Sequence, residues 1–111
     1  MTEYCVVYIT AGSLEQAQQL ADALVQENLA ACVNRVGPVH STYRWMGQIC
    51  NDEEYLLIIK TRQKCLPELT QRVQALHSYE VPEIIALPIL GGLTAYLDWI
   101  QAQTEEPAEN E

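Results

Sequence analysis

Positive charge is scarce in this chain. Six Lys and Arg stand against 15 Asp and Glu, a formal net charge of -9 over 111 residues. No basic patch is available to neutralise phosphates, and an acidic field repels them, so nucleic acid and anionic membrane surfaces are excluded as partners. Apolar runs are short: none approaches the roughly 20 residues of a membrane span. The first thirty residues also lack the charged start, apolar block and cleavage site of a secretory signal. These absences predict a cytoplasmic protein. The four cysteines, Cys5, Cys32, Cys50 and Cys65, include no C-x-x-C pair and have no histidines at zinc-finger spacing, which argues against a structural zinc site. In a reducing compartment they are thiols, with Cys5 and Cys32 expected as small buried hydrophobes inside strand-like runs. No nucleophile elbow, phosphate-binding glycine loop or metalloprotease motif occurs, so nothing local enforces catalysis by Cys32 or Cys65 with His77, or by Glu80 with Glu83.

What is present is enough apolar residue, 49%, for one packed core. Residues 4–10 (YCVVYIT) read as a buried strand ended by Ala11-Gly12. Ser13 and Gln16 form a capping-box pair, and Leu14, Ala17, Leu20, Ala21, Leu24 and Val25 recur at helical spacing to about Asn28. Residues 31–46 read extended with a bulge at Gly37-Pro38, placing Val39, Tyr43 and Trp45 on one face and His40, Thr42 and Arg44 on the other. Gly47 and Asn51-Asp52 signal turns before a strongly apolar strand at 54–61. Pro67 fits the first turn of a second helix with the stripe Leu66, Leu69, Val73 and Leu76. Pro82 and Pro88 bracket a short strand at 83–87, and a last helix carries Tyr96, Leu97, Trp99 and Ile100.

The order βαββαβ plus a terminal helix predicts an α+β, ferredoxin-like fold: an antiparallel sheet in the order 4-1-3-2 with its helices on one face. Pro38, Pro82 and Pro88 fall in the two strands that this order puts at the edges, while the first and third strands, free of proline, lie centrally. One domain covers residues 1–103, and 104–111 (TEEPAENE) is expected to be a disordered acidic tail. A helix over 13–28 spans roughly 24 Å, whereas an extended segment over 31–46 spans up to roughly 53 Å. The hairpin therefore overhangs its helices, leaving an open edge and an apolar patch that oligomerisation would cover.

Residues 30–34 (AACVN), 41–48 (STYRWMGQ), 60–61 (KT), 77–88 (HSYEVPEIIALP) and 96–99 (YLDW) resemble the CutA family of divalent-cation tolerance proteins. The resemblance implies a homotrimer similar to the PII signalling proteins, with clefts between subunits. It implies either a carrier or signalling role toward a small molecule or metal ion, or, as the alternative, binding of copper(II) or another divalent cation. Of the copper ligands proposed for some members, a Cys and a His-His pair, the matching positions here are Ile9, Leu76 and His77, so His77 alone is a metal candidate. Aromatic walls with a few aimed polar groups suit a small-molecule site, and the candidate ligand-binding residues are Tyr43, Trp45, Lys60, His77, Tyr79, Glu80, Glu83 and Trp99. The plainer alternative has the aromatics filling a subunit interface and Glu83 paired with Lys60.

Overall fold

The computed structural model describes residues 3–105. Its elements are β1 (Tyr4–Ala11), α1 (Leu14–Gln26), β2 (Cys32–Trp45), β3 (Gln48–Arg62), a short 3-10 turn (Gln63–Cys65), α2 (Leu66–Leu76), β4 (Ile84–Pro88) and α3 (Thr94–Gln103). The sheet order β2-β3-β1-β4 is the expected ferredoxin-like one, with every pairing antiparallel. Alternation along β1 and β3 sends Val7, Ile9, Leu57 and Ile59 to one face, where they are fully buried with Leu20 and Leu24 of α1 and Leu69 and Val73 of α2. These residues form the core, each contributing about 1.5–3 kcal/mol by its removal from water.

Four expectations need correction. Asn51 and Asp52 make no turn: β3 begins at Gln48, and the chain reverses at Met46-Gly47, both at positive φ, the geometry of a two-residue hairpin turn. Asn51 and Asp52 pair with Thr42 and Ser41 inside the ladder, so the hairpin is longer than its apolar pattern indicated. The helices do not share one face. Tyr96 of α3 packs beside Cys32, and Thr104 just after α3 meets Arg62, on the side of the sheet opposite Leu57 and Ile59. Cys32 is accordingly half-buried, unlike the buried Cys5 and Cys65. Finally, Thr104 is no part of a loose tail: it is buried, its hydroxyl accepts from Arg62 Nε at 2.8 Å and donates to the Ile100 carbonyl at 2.8 Å. Residues 106–111 of the expected tail lie outside the described residues.

The bulge at Gly37-Pro38 sets the geometry of everything beyond it. Before it, Val33 and Arg35 pair with Ile59 and Leu57, on the helix-covered face. Between Val36 and Val39 the register slips by one residue, and from there Val39, Ser41, Tyr43 and Trp45 pair with Glu54, Asp52, Cys50 and Gln48. Since side chains alternate with period two, one inserted residue moves every later odd position of β2 to the other face. Gly37 is required by space as well as by its φ of 157°, because a Cβ there would stand 2.7 Å from the Tyr55 ring. The 15-residue β3 runs about 50 Å and the 13-residue α1 about 20 Å, so the far end of the hairpin extends beyond the helices in a molecule measuring 50 × 31 × 22 Å.

Leu57 is central in the sheet and fully buried. Leu57→Ala is expected to lower the unfolding free energy by about 2–5 kcal/mol through lost burial and a residual cavity, read from denaturant unfolding at constant slope.

Candidate functional site

The chain between α2 and β4 is held by a relay that begins at α1. Ser13 caps α1 as expected, its Oγ accepting from Gln16 N at 3.1 Å. Gln16 does not close the capping box. Its side-chain amide donates to the Leu76 carbonyl at 3.3 Å and its oxygen accepts from Ser78 N at 2.7 Å, so α1 grips the end of α2. His77 sits within that grip, only 8% exposed. Its Nε2 lies 2.7 Å from the Thr10 carbonyl and its Nδ1 accepts from Tyr79 N at 3.0 Å. A carbonyl can only accept and an amide N–H can only donate, so the two contacts together assign the Nε2-protonated tautomer. Tyr79, its ring 4.7 Å from that of His77, then reaches across Gly12 to donate to Glu54 Oε2 at 2.8 Å. A Cβ on Gly12 would fall 2.9 Å from the Tyr79 hydroxyl, which explains the glycine.

The relay ends at a cleft of about 620 Å³ on the sheet face opposite the core. Its aromatic walls are Tyr43, Trp45 and Tyr79, and its carboxylates are Glu54 and Glu83, with Thr10, Ser41, Thr42 and Val81 between them. Glu54 is 6% exposed. Asp52 stands behind the wall, accepting from the Tyr43 hydroxyl. The only ion pairs among the described residues are Arg62–Glu3 and Arg72–Glu27, so Glu54, Asp52 and Glu83 have no cationic partner there. The phenols respond to this field. The Tyr43 pKa is pushed up to about 12, chiefly by its bond to Asp52, and that of Tyr79 is also raised, by burial first and then by its bond to Glu54.

Of the eight residues expected here, the structure gathers Tyr43, Trp45, Tyr79 and Glu83. His77 supports the site from behind rather than facing it. Glu80 is exposed and does not line the cleft. Lys60 lies six residues up β3 from Glu54, roughly 20 Å away, donating to Asn34 Oδ1, so it makes no pair with Glu83. Trp99 is on α3, against Tyr96 at 5.5 Å between centroids. The residues missed were Glu54, Asp52, Ser41, Thr42, Thr10 and Val81. Reading Asn51-Asp52 as a turn had cut the hairpin short of Asp52 and left Glu54 as a strand end. Carrying the strand through and applying the one-residue slip would have put both opposite Ser41 and Val39. Among the described residues no group of three or more His, Cys, Asp and Glu is gathered as a metal cage would require, and Cys32 and His77 stand in different contacts.

The fold and this cleft define a ferredoxin-like domain with a ligand-sized acidic recess beside an overhanging hairpin. The family described as "CutA1 divalent ion tolerance protein" matches residues 5–103, and the chain belongs to that family. It is 52% identical over 99 residues to the divalent-cation tolerance protein CutA of Thermus thermophilus, covering 89% of this chain and 96% of that one. It is also 52% identical over 99 residues to a protein of Arabidopsis thaliana named "Protein CutA, chloroplastic". There the chain spans about half of the relative's length, 54%, and 89% of its own. The solved structure of a protein of Archaeoglobus fulgidus called "Periplasmic divalent cation tolerance protein CutA" superposes with a TM-score of 0.90 at 43% identity, covering 92% of this chain and 99% of that one. Those two names place relatives in compartments other than the expected cytoplasm. Among the described residues no helix is long and apolar enough to cross a membrane.

Because the folded-state pKa of Tyr43 is raised from 10.0 to about 12, its bond to Asp52 supports the fold fully below pH 10 and is lost as pH rises through about 12. Ultraviolet titration of the phenolate band should show this high midpoint, and Asp52→Asn should bring it down. An unchanged midpoint would remove Asp52 as the cause.

Proposed function

We propose that this chain acts in divalent-cation tolerance as a non-enzymatic homotrimer that meets cations at the acidic cleft, not at His77. The observation that carries this is the pairing of family membership with the arrangement of ligating groups. A tight copper site favours nitrogen and sulfur donors, yet the one candidate imidazole has both nitrogens engaged, one by Thr10 and one by Tyr79. A metal could displace neither without loosening the turn that aims Tyr79 at Glu54. The cleft offers carboxylate and hydroxyl oxygens, which suit hard divalent ions. The carrier or signalling role toward a small molecule is the second reading, favoured by the volume and aromatic walls of the same cleft.

Self-association is supported by what the sheet leaves uncovered. Val36, Ile85 and Leu87 are exposed on the face opposite the core, Ile49, Trp45 and Met46 are exposed on the hairpin, and β2 is an open edge. An isolated chain would present both a strand template and a large apolar surface to water. A trimer would place a second copy near the overhanging hairpin and supply the ligands that one chain lacks.

Native mass spectrometry should find three times the chain mass. Calorimetric titration of reduced, metal-free protein with zinc(II), manganese(II) and copper(II) should show binding that His77→Ala leaves within about twofold and that Glu54→Gln with Glu83→Gln weakens by roughly tenfold, the scale of one lost charged contact. Stoichiometric copper binding abolished by His77→Ala would overturn this placement.

A further inference from the structure

We propose that Lys60 of a second copy enters the recess and pairs with Glu83 beside Glu54, so that the charged site of the homotrimer is completed across the subunit boundary. This rests on the self-association argued above and names the residue that the neighbour contributes. Within one chain the pairing is out of reach. Lys60 and Glu54 share a sheet face but stand six residues apart along β3, roughly 20 Å, and Glu83 lines the same recess as Glu54.

The strand registers divide this face into poles. Lys60, Val6 and Leu87 stand abreast on β3, β1 and β4, followed by the row of Asn34, Ile58, Tyr8 and Ile85, then by Val36, Leu56 and Thr10, and then by Glu54. A cation occupies one end, an apolar belt the middle and carboxylates the other end. Val36, Ile85 and Leu87 of the belt are exposed in the single chain, a seat for a second copy. Lys60 donates to Asn34 Oδ1, a neutral acceptor that orients the ammonium and leaves its charge intact. Among the described residues the ion pairs use Arg62 and Arg72 alone, so Lys60 has no carboxylate and Glu54 and Glu83 have no cation. Arg35 pairs with Leu57 on the helix-covered face, and Arg44 pairs with Ile49 on the side of the hairpin away from Glu54, which leaves Lys60 as the free cation of this face. Carboxylates covered by a neighbour without a counter-charge would be heavily penalised by desolvation. A register that brings unlike poles of two copies together removes that penalty, whereas one that brings carboxylates against carboxylates is repelled. One ammonium against two carboxylates still leaves the recess negative and attractive to a divalent ion.

A double-mutant cycle on assembly tests this, because two positions so far apart in one chain couple only through a contact between copies. Subunit dissociation on dilution is read by sedimentation at one fixed, sub-denaturing guanidinium concentration, with circular dichroism confirming that each variant is folded. Lys60→Gln and Glu83→Gln should each weaken association by roughly tenfold, and the two together should weaken it no further than either alone. Charge reversal sharpens the reading: Lys60→Glu or Glu83→Lys alone should dissociate the assembly, and the two in the same chain should restore it. If a reversed charge unfolds the chain, the neutral pair completes the cycle by itself. Glu80→Gln, a charge change on an exposed residue outside the recess, should neither weaken association nor couple to Lys60. Additive losses at Lys60 and Glu83, or equal coupling of Lys60 to Glu80, would overturn the proposal. Failure of the metal reading is separable: coupling of Lys60 to Glu83 without zinc(II) binding sinks only that reading, and zinc(II) binding to a trimer without the coupling sinks only the pairing.

Discussion

One inserted residue in β2 governs the far half of this molecule. Up to Val36 the strand presents its odd positions to the helices and contributes to the core; from Val39 onward the same phase points away from them. Hydrophobic burial drives the first half, and with no helix above the second half there is no core for Tyr43 and Trp45 to join. The slip at Gly37-Pro38 resolves this by turning those rings toward the sheet face that β3, β1 and the Tyr79 turn enclose as a cleft. A strand without the bulge would send Ser41, Tyr43 and Trp45 to the opposite side from Glu54 and Asp52.

The near half of the fold was legible because its signals are local and periodic. The helical spacing of Leu20 and Leu24, the cap at Ser13 and the β-branched run in β1 each depend on neighbours within a few residues, and the proline positions sorted edges from centre. The site was only half legible. Tyr43, Trp45, Tyr79 and Glu83 stood out as aromatic or charged residues in recognisable segments. Glu54 was hidden because a carboxylate at the start of an apolar strand reads as a solvated end, and its burial arises from Tyr79, which arrives from 25 residues away. Asn51 and Asp52 were misread because they are strong turn formers placed in a ladder, a case of tertiary pairing overriding local propensity. His77 was expected as a ligand or metal residue, whereas its two ring contacts, with the Thr10 carbonyl and with Tyr79 N, make it a support of the turn that carries Tyr79, a role no local pattern signals.

Acidic residues without counter-ions are costly to a folded chain, and the structure limits that cost by tethering. Glu54 and Asp52 each accept a tyrosine hydroxyl, a neutral donor that holds a carboxylate in place without cancelling its charge. Lys60, the cation nearest in sequence on β3, is directed to Asn34 instead. The negative potential of the cleft is thus preserved by the same contacts that make its walls rigid. Gln16 and His77 fix the backbone of the turn without lining the cleft, and Tyr79 transmits that fixity to Glu54 in its wall.

Arg62 closes the opposite end of the sheet. Its guanidinium meets Glu3 at 3.7 Å and both the hydroxyl and the carbonyl of Thr104, so the first and last described stretches of chain converge on one side chain that is itself buried. Arg62 is eight residues along β3 from Glu54, a separation of about 27 Å. The described chain thus enters and leaves at the end of the molecule remote from the recess, so a fluorescent label or an immobilisation tag carried at Glu3 or Glu105 would start there, away from the cleft.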